Sequence, residues 1–195
     1  TFTKEASTAM FNNSLKVLQT RYIDYYALDA IGIDDDERDA MELFQARFID
    51  NGVLDFLLQK RKDGTIRNLG FSFQGDQEVF DHALSIHDTG QVHWDFAQIE
   101  MNYLSWNHAH ELKSDKVNAS YLYAELQKRG IPVIIMNPLL GGKLADLPNP
   151  VMAKLKQRAP ERSAASWTLR YCGSFKGVLT VVSNMTFMEH LKDNL

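Results

Sequence analysis

Five short runs rich in apolar, β-branched and aromatic residues recur along the chain, each preceded by a segment with helical spacing. The runs are YIDYYALDA at 22–30, TIRNLGFSF at 65–73, WDFAQIEMN at 94–102, IPVIIMNP at 131–138 and GVLTVVSN at 177–184. This alternation restricts the fold more than any other feature. Strands separated by helices pair in parallel, because parallel neighbours need a long crossover and a helix supplies it. The class is therefore α/β. PVIIM and VLTVV are apolar on both faces, the pattern of a sheet covered on both sides or curled around its own core. Periodicity leaves an open doubly wound sheet and a closed barrel both standing. The spacing of about 35 to 50 residues per unit leans toward a barrel of the (β/α)8 type, whose eight units take ~250 residues. Five units then make an incomplete barrel.

The helical segments have their own signatures. In EASTAMFNNSLKVLQ the residues Ala9, Met10, Leu15, Val17 and Leu18 recur at helical spacing. Residues 39–64 read as a helix in two pieces, and 76–87 as another. KVNASYLYAELQKRG closes at Gly130, and ERSAASWTLRYCG at Gly173. MEHLKDNL begins one more helix.

Composition excludes several classes of partner. A formal net charge of −4, with no sustained Lys/Arg block, gives no footprint for nucleic acid or an anionic membrane. Cys172 is the sole cysteine, so no disulfide forms within the chain and no cysteine-based zinc or iron–sulfur spacing is present. A reducing, cytoplasmic setting is expected. No run reaches the ~18 apolar residues of a membrane span. The start lacks the apolar core of a signal peptide, so the Asn-X-Ser/Thr patterns at Asn12, Asn118 and Asn184 read as chance matches. With no initiator Met and an end inside a helical pattern, the 195 residues are expected to be one domain cut at both ends.

In a parallel sheet, ligands bind beyond the carboxyl ends of the strands. Asp29, Ser72, Phe73, Gln98, Glu100, Asn102, residues 136–143 and residues 183–186 stand there. In MNPLLGGKL, Pro138 sets the turn, Gly141 and Gly142 let backbone approach a ligand, and Lys143 adds charge. The loop fails the P-loop pattern, which needs Ser or Thr after the Lys. Gln98, Glu100 and Asn102 alternate onto one face, to be satisfied by a ligand or by one another. Elsewhere the plain reading prevails. DDDER at 34–38 complements a helix dipole, His108 and His110 are solvated in a loop, Trp94, Trp106 and Trp167 pack, and Cys172 is a small core residue.

Taken in order, SLKVLQTRYIDYY, GTIRNLGFSF, WDFAQIEMNYLSW, GIPVIIMNPLLGGKLADLP and SAASWTLRYCGSFKGVLTVVSNMTFMEHLKDNL resemble the second part of an aldo/keto reductase. They are most similar to the subgroup with a C-terminal ferredoxin-like segment carrying a 4Fe-4S cluster. The resemblance implies a (β/α)8 barrel in which these strands are the fourth to the eighth. It also implies reduction of a small carbonyl compound by hydride from NADPH or NADH. The family's acid–base Asp, Tyr and Lys belong to units upstream of Thr1.

Asp29 stands at the family's histidine position, where an ionised carboxylate cannot donate as imidazole does. Ser72 and Gln98 match residues that hold the nicotinamide carboxamide, although Phe73 replaces the usual asparagine. Met136 takes the place of a stacking tyrosine. Leu139, Gly141, Gly142 and Lys143 match the loop over the pyrophosphate. Ser183, Asn184, Met185, Thr186 and His190 match the segment at the adenosine phosphate, without its customary cation. Asp193 and Asn194 match the pair facing adenine. The loss of histidine leaves a second reading open, a non-catalytic barrel that binds a nucleotide or a partner. No metal site is expected in these residues, and unpaired barrel edges are expected to drive self-association of the isolated fragment.

Overall fold

The structure, a computed structural model, describes residues 3–114 and 116–194. Among the described residues five strands form one sheet in the order β1-β2-β3-β4-β5: Ile23–Ile31, Ile66–Phe73, Phe96–Glu100, Val133–Met136 and Val178–Val181. β1 with β2, β2 with β3 and β4 with β5 run parallel, each joined to the next through helix. The α/β class and parallel sheet are those the sequence predicts. The chain forms two compact units, one up to Gln98 together with Lys116 and Val117, the other Ile99–Ser114 and the chain from Asn118 on.

In the first unit α1 (Lys4–Val17) starts where the Thr3 hydroxyl accepts from Ala6 N at 3.2 Å. It buries Phe11, which meets Tyr26 and Phe56 edge-on at 5.3 and 5.6 Å. The helical stretch after β1 is divided. α2 (Ala40–Phe44) opens with a capping box between Asp39 and Glu42, a π-helical turn follows at Gln45–Ile49, and α3 (Val53–Lys62) leads to β2. α4 (Gln77–Asp88) is capped by Asp76 and buries Val79, Phe80, Ala83 and Leu84. Trp94 lies against Phe71 at 5.4 Å and donates its indole N–H to Ala83 O at 2.7 Å. Asp95 fixes the register of β3 on β2. Its backbone N donates to Leu69 O at 2.9 Å, and its carboxylate accepts from Leu69 N at 2.9 Å and from Arg61 at 3.0 Å.

The second unit carries α5 (Ser105–Leu112), α6 (Ala119–Lys128), α7 (Asn149–Arg158), α8 (Ala164–Gly173) and α9 (Met188–Asn194) around β4 and β5. Trp106, Tyr123, Tyr171 and Phe175 form an aromatic cluster with centroid separations of 4.8 to 5.9 Å. Cys172 is fully buried, donates to Met101 O at 3.3 Å, and has its thiol pushed up to about 12 by burial. It is a core residue, as its sequence context implies. Gly130 ends α6 at φ 67°, with its N–H on Gln127 O.

Several expectations need correction. Ala9, Met10, Val17 and Leu18 are exposed, and Phe11 alone anchors α1, because one aromatic ring fills the space beside Tyr26 and Phe56. Gly173 is the last helical residue rather than the cap; the left-handed turn falls later, at Gly177 with φ 75°. His108 and His110 lie on α5 rather than in a loop, and His108 contacts Glu111 at 2.9 Å. The run at 34–38 folds on itself, with Asp35 accepting from Glu37 N, Arg38 N and the Arg38 guanidinium, while Asp39 caps α2. The Arg38 hydrogen bond lowers the Asp35 pKa. β5 is exposed, with Leu179 at 46%, since the last strand of the sheet has a neighbour on one side only.

Gly70 sits in register with Phe96, and a Cβ there would lie 2.3 Å from Phe96 O. Gly70→Ala is therefore expected to lower stability by about 2–3 kcal/mol in urea unfolding, the cost of overpacking against backbone that cannot yield.

Candidate functional site

Within the second unit the end of β4 and its following turn, the first turn of α8, the end of β5 and α9 enclose a cleft of about 630 Å³. The turn after β4 is set by backbone conformation. Asn137 and Leu140 adopt φ of 51° and 50°, and Gly141 and Gly142 follow at 65° and 93°. Asparagine tolerates the left-handed region through its short polar side chain; leucine does so at a cost, held by its surroundings. Here the Asn137 side-chain oxygen accepts from Gly141 N at 2.9 Å, and its carbonyl accepts from Leu140 N at 3.1 Å and from the Asn102 amide at 3.3 Å. An added Cβ at Gly141 or Gly142 would meet nothing within 4 Å, so both present bare backbone to open space. A 3-10 turn at Lys143–Ala145 closes the loop, anchored by buried Leu144.

The opposite wall begins at Ser163, which caps α8. Its hydroxyl accepts from Ser166 N at 2.9 Å and donates to the Asp193 carboxylate of α9. One residue on, the Asn194 amide donates to the Ser183 hydroxyl at 3.3 Å, tying α9 to the end of β5. His190 also faces the cleft and meets Phe187 edge-on at 5.3 Å. His190 and Asp193 are the ionisable residues lining it. The N–H groups of the glycine turn are spent within it, Gly141 N on the Asn137 side chain and Gly142 N on Leu139 O, so attraction for an anion comes from the amino end of α8. The arrangement suits a long, partly apolar ligand; among the described residues no hydrogen bond or ion pair joins His190 to Asp193.

Eight sequence-predicted residues meet at this cleft: Leu139, Gly141 and Gly142 on one wall, Ser183, Asn184, His190, Asp193 and Asn194 on the other. Met136, Lys143 and Thr186 do not line it, and Met185 lines a neighbouring cavity. Met136 ends β4, where its carbonyl accepts from Met101 N at 3.3 Å. Asn137, Pro138, Ala145, Ala165 and Val182 also line the cleft. The signal for Asn137 is a residue of left-handed preference directly after a strand; Ala165 has no signal beyond its small size in the first turn of a helix.

Asn102 is fully buried but serves the protein. Its oxygen accepts from Leu104 N and Ser105 N, and its amide donates to Asn137 O. In the first unit Ser72 and Gln98 are direct register partners on β2 and β3, Ser72 buried and Gln98 half-buried. Phe73 turns into the core against Phe80 at 4.9 Å. Asp29 is exposed near the end of β1, where Arg47 donates to the carbonyls of Asp29 and Ala30 at 3.0 and 3.3 Å. Burial lowers the Arg47 pKa, and the nearby Asp29 charge opposes that. Among the described residues no three His, Cys, Asp or Glu side chains are grouped to hold a metal, and no helix is long and apolar enough to cross a membrane.

The model of the aldo/keto reductase family matches residues 1–195. No curated protein matches by sequence. Solved structures do match in fold. An aldo-keto reductase from Bacillus halodurans, in its apo form, is 20% identical with a TM-score of 0.63, over 96% of this chain and 60% of that one. One from Klebsiella pneumoniae in complex with NADPH is 21% identical with a TM-score of 0.67, over 99% and 59%. An aldo-keto reductase enzyme from a Medee basin deep-sea metagenome library is 16% identical with a TM-score of 0.70, over 99% and 60%. This chain therefore spans about 60% of the length of these solved structures.

Ser163 holds both the amino end of α8 and the Asp193 side chain. Ser163→Ala is expected to cost about 1 kcal/mol in thermal or chemical unfolding through loss of the cap. It also releases the Asp193 carboxylate from its hydrogen bond.

Proposed function

The chain belongs to the aldo/keto reductase family, and from that premise we propose that the complete protein is an NADPH- or NADH-dependent oxidoreductase that reduces the carbonyl of a small molecule. The observation that carries this reading is the convergence of Leu139, Gly141, Gly142, Ser183, Asn184, His190, Asp193 and Asn194 on one cleft of nucleotide size. The open space against Gly141 and Gly142 leaves room for a pyrophosphate to approach the backbone. Ser72 and Gln98, side by side in register within the first unit, and Met136 at the end of β4 in the second are assigned to the nicotinamide by motif likeness. When bound, the dinucleotide supplies hydride. These residues bind and orient it; the family's Asp, Tyr and Lys, expected outside the 195 residues, move the proton. Met185 and Thr186 complete the phosphate segment, and Lys143 adds long-range attraction.

Asp29 bears on mechanism. Exposed and beside Arg47, it orients a carbonyl less well than the imidazole it replaces, because an ionised carboxylate repels the negative charge that develops on the reacting oxygen. This observation favours a second reading, a barrel that binds nucleotide or a partner without turnover. The ferredoxin-like 4Fe-4S segment is proposed on motif likeness alone and lies outside the described residues. A reducing, cytoplasmic location accords with one buried cysteine.

Mixing the complete protein with NADPH and a panel of aldehydes separates the two readings. Steady loss of absorbance at the reduced nicotinamide band is expected, with Asp29→His raising kcat/KM by about tenfold or more. Fluorescence change on binding without oxidation, in both forms, would establish the binder instead. For the 195 residues alone, the exposed outer strand with Leu179 and Thr180 is expected to drive self-association. Sedimentation over a concentration series reads this, and a single monomeric species at all concentrations would refute it.

A further inference from the structure

Strand register in the first unit lays one polar row across three strands. Ser72 pairs with Gln98, and Asp29 follows the Leu28–Phe71 pair by one residue, as Ser72 does. Side chains alternate along a strand, so Asp29, Ser72 and Gln98 share a face of the sheet. Below them on that face Tyr25 meets Phe96 edge-on at 5.3 Å. The Asp29 carboxylate is exposed, and among the described residues it forms no hydrogen bond or ion pair.

Arg47 reaches the end of this row from the π-helical turn. Its guanidinium donates to the carbonyls of Asp29 at 3.0 Å and of Ala30 at 3.3 Å, the two that flank the Ala30 Cα. Ala30 adopts φ 50°, a left-handed conformation that strains an alanine and is held here by the bonds on either side of it. The arginine is fixed in turn. The Asn51 amide donates to its carbonyl at 2.9 Å, and its guanidinium lies 4.8 Å from the centroid of the Phe48 ring. A guanidinium carries more N–H donors than these two bonds use, and it remains charged at neutral pH. A positive fork with donors to spare thus stands beside a carboxylate that has none.

Reduction of a carbonyl builds negative charge on its oxygen, and an ionised carboxylate opposes that charge. We propose that Arg47 is a catalytic residue of this chain, its remaining N–H groups donating to the substrate's carbonyl oxygen at the end of β1, where Asp29 has no donor to offer. The inference rests on the oxidoreductase reading and deepens it, since it names the group that meets the developing charge. The reduced dinucleotide, when bound, supplies hydride to the carbonyl carbon. The electron pair of the C=O bond moves onto oxygen, which takes its proton from the acid outside these residues. Arg47 forms and breaks no covalent bond; it holds the oxygen and offsets the charge of Asp29.

Steady-state reduction of an aldehyde panel by the complete protein, alongside titration of NADPH by fluorescence, tests it. Arg47→Ala is expected to lower kcat by about 10²-fold, the loss that follows removal of one oxyanion donor, with NADPH affinity unchanged within about twofold. Loss of a merely structural clamp also slows turnover, so two rescues separate the roles. Guanidinium chloride at millimolar concentration should raise kcat of Arg47→Ala by about tenfold and leave the unaltered protein unchanged. Asp29→His should raise kcat far more in Arg47→Ala than in the unaltered protein, because imidazole then supplies the missing donor. Circular dichroism checks folding. If Arg47→Ala does not fold, Arg47→Lys and Arg47→Gln are compared instead, and the charged lysine is expected to keep about tenfold more kcat than glutamine. A loss that neither rescue reverses, a folded Arg47→Ala within about threefold of the unaltered kcat, or equal kcat for the lysine and glutamine variants overturns the inference and leaves the oxidoreductase reading in place. Absence of turnover in the unaltered protein overturns both.

Discussion

A single buried carboxamide organises the second unit. Asn102 stands past the end of β3 with no solvent exposure, and burying such a group is tolerable only if its donors and acceptors are met. Its oxygen takes two backbone N–H groups at the start of α5, Ser105 Oγ accepts from its backbone N–H at 2.9 Å, and its amide reaches the Asn137 carbonyl. Asn137 in turn holds the glycine turn by its own side chain. The wall of the cleft is thus set by a relay of hydrogen bonds that begins one strand away. Left unpaired, any group in that relay would cost about 1–3 kcal/mol, enough to keep the arrangement fixed without a ligand.

The same logic recurs through the chain: side chains near strand ends secure backbone. Ser163 caps α8 and holds Asp193, Asn194 holds Ser183, and Arg47 clamps the carbonyls beside Asp29. Few of the residues lining the cleft are charged, His190 and Asp193 among them.

The alternation of apolar runs with helical segments was enough to read the class and the five strands, because both periodicities are long and bounded by turn residues. The turn after β4 was legible too, since Pro138 and the paired glycines mark a sharp change of chain direction after a strand. What escaped the sequence depended on tertiary packing. α1 carries more apolar residues outward than inward, and only Phe11 finds partners. α7 buries no residue at all, so no apolar stripe marked Asn149–Arg158 as a helix. α5 is interrupted by a non-helical His108, which hides its short period. Phe73 and Asn102 look alike as candidates after strands, yet one is core and the other a structural node; only neighbours tell them apart.

The π-helical turn at Gln45–Ile49 has a consequence for how this part of the chain tolerates change in length. A π turn accommodates one residue more than an α-helix over a comparable rise. Removing a residue there would close the wide turn to α pitch and redirect the side chains inside it. Phe48, buried with its ring tilted against Phe44 at 5.6 Å, and Arg47, bound to the backbone at the end of β1, depend on the present phase. Deletions in this π-helical segment therefore reach directly into the strand end that bears Asp29, as does replacement of Arg47 itself.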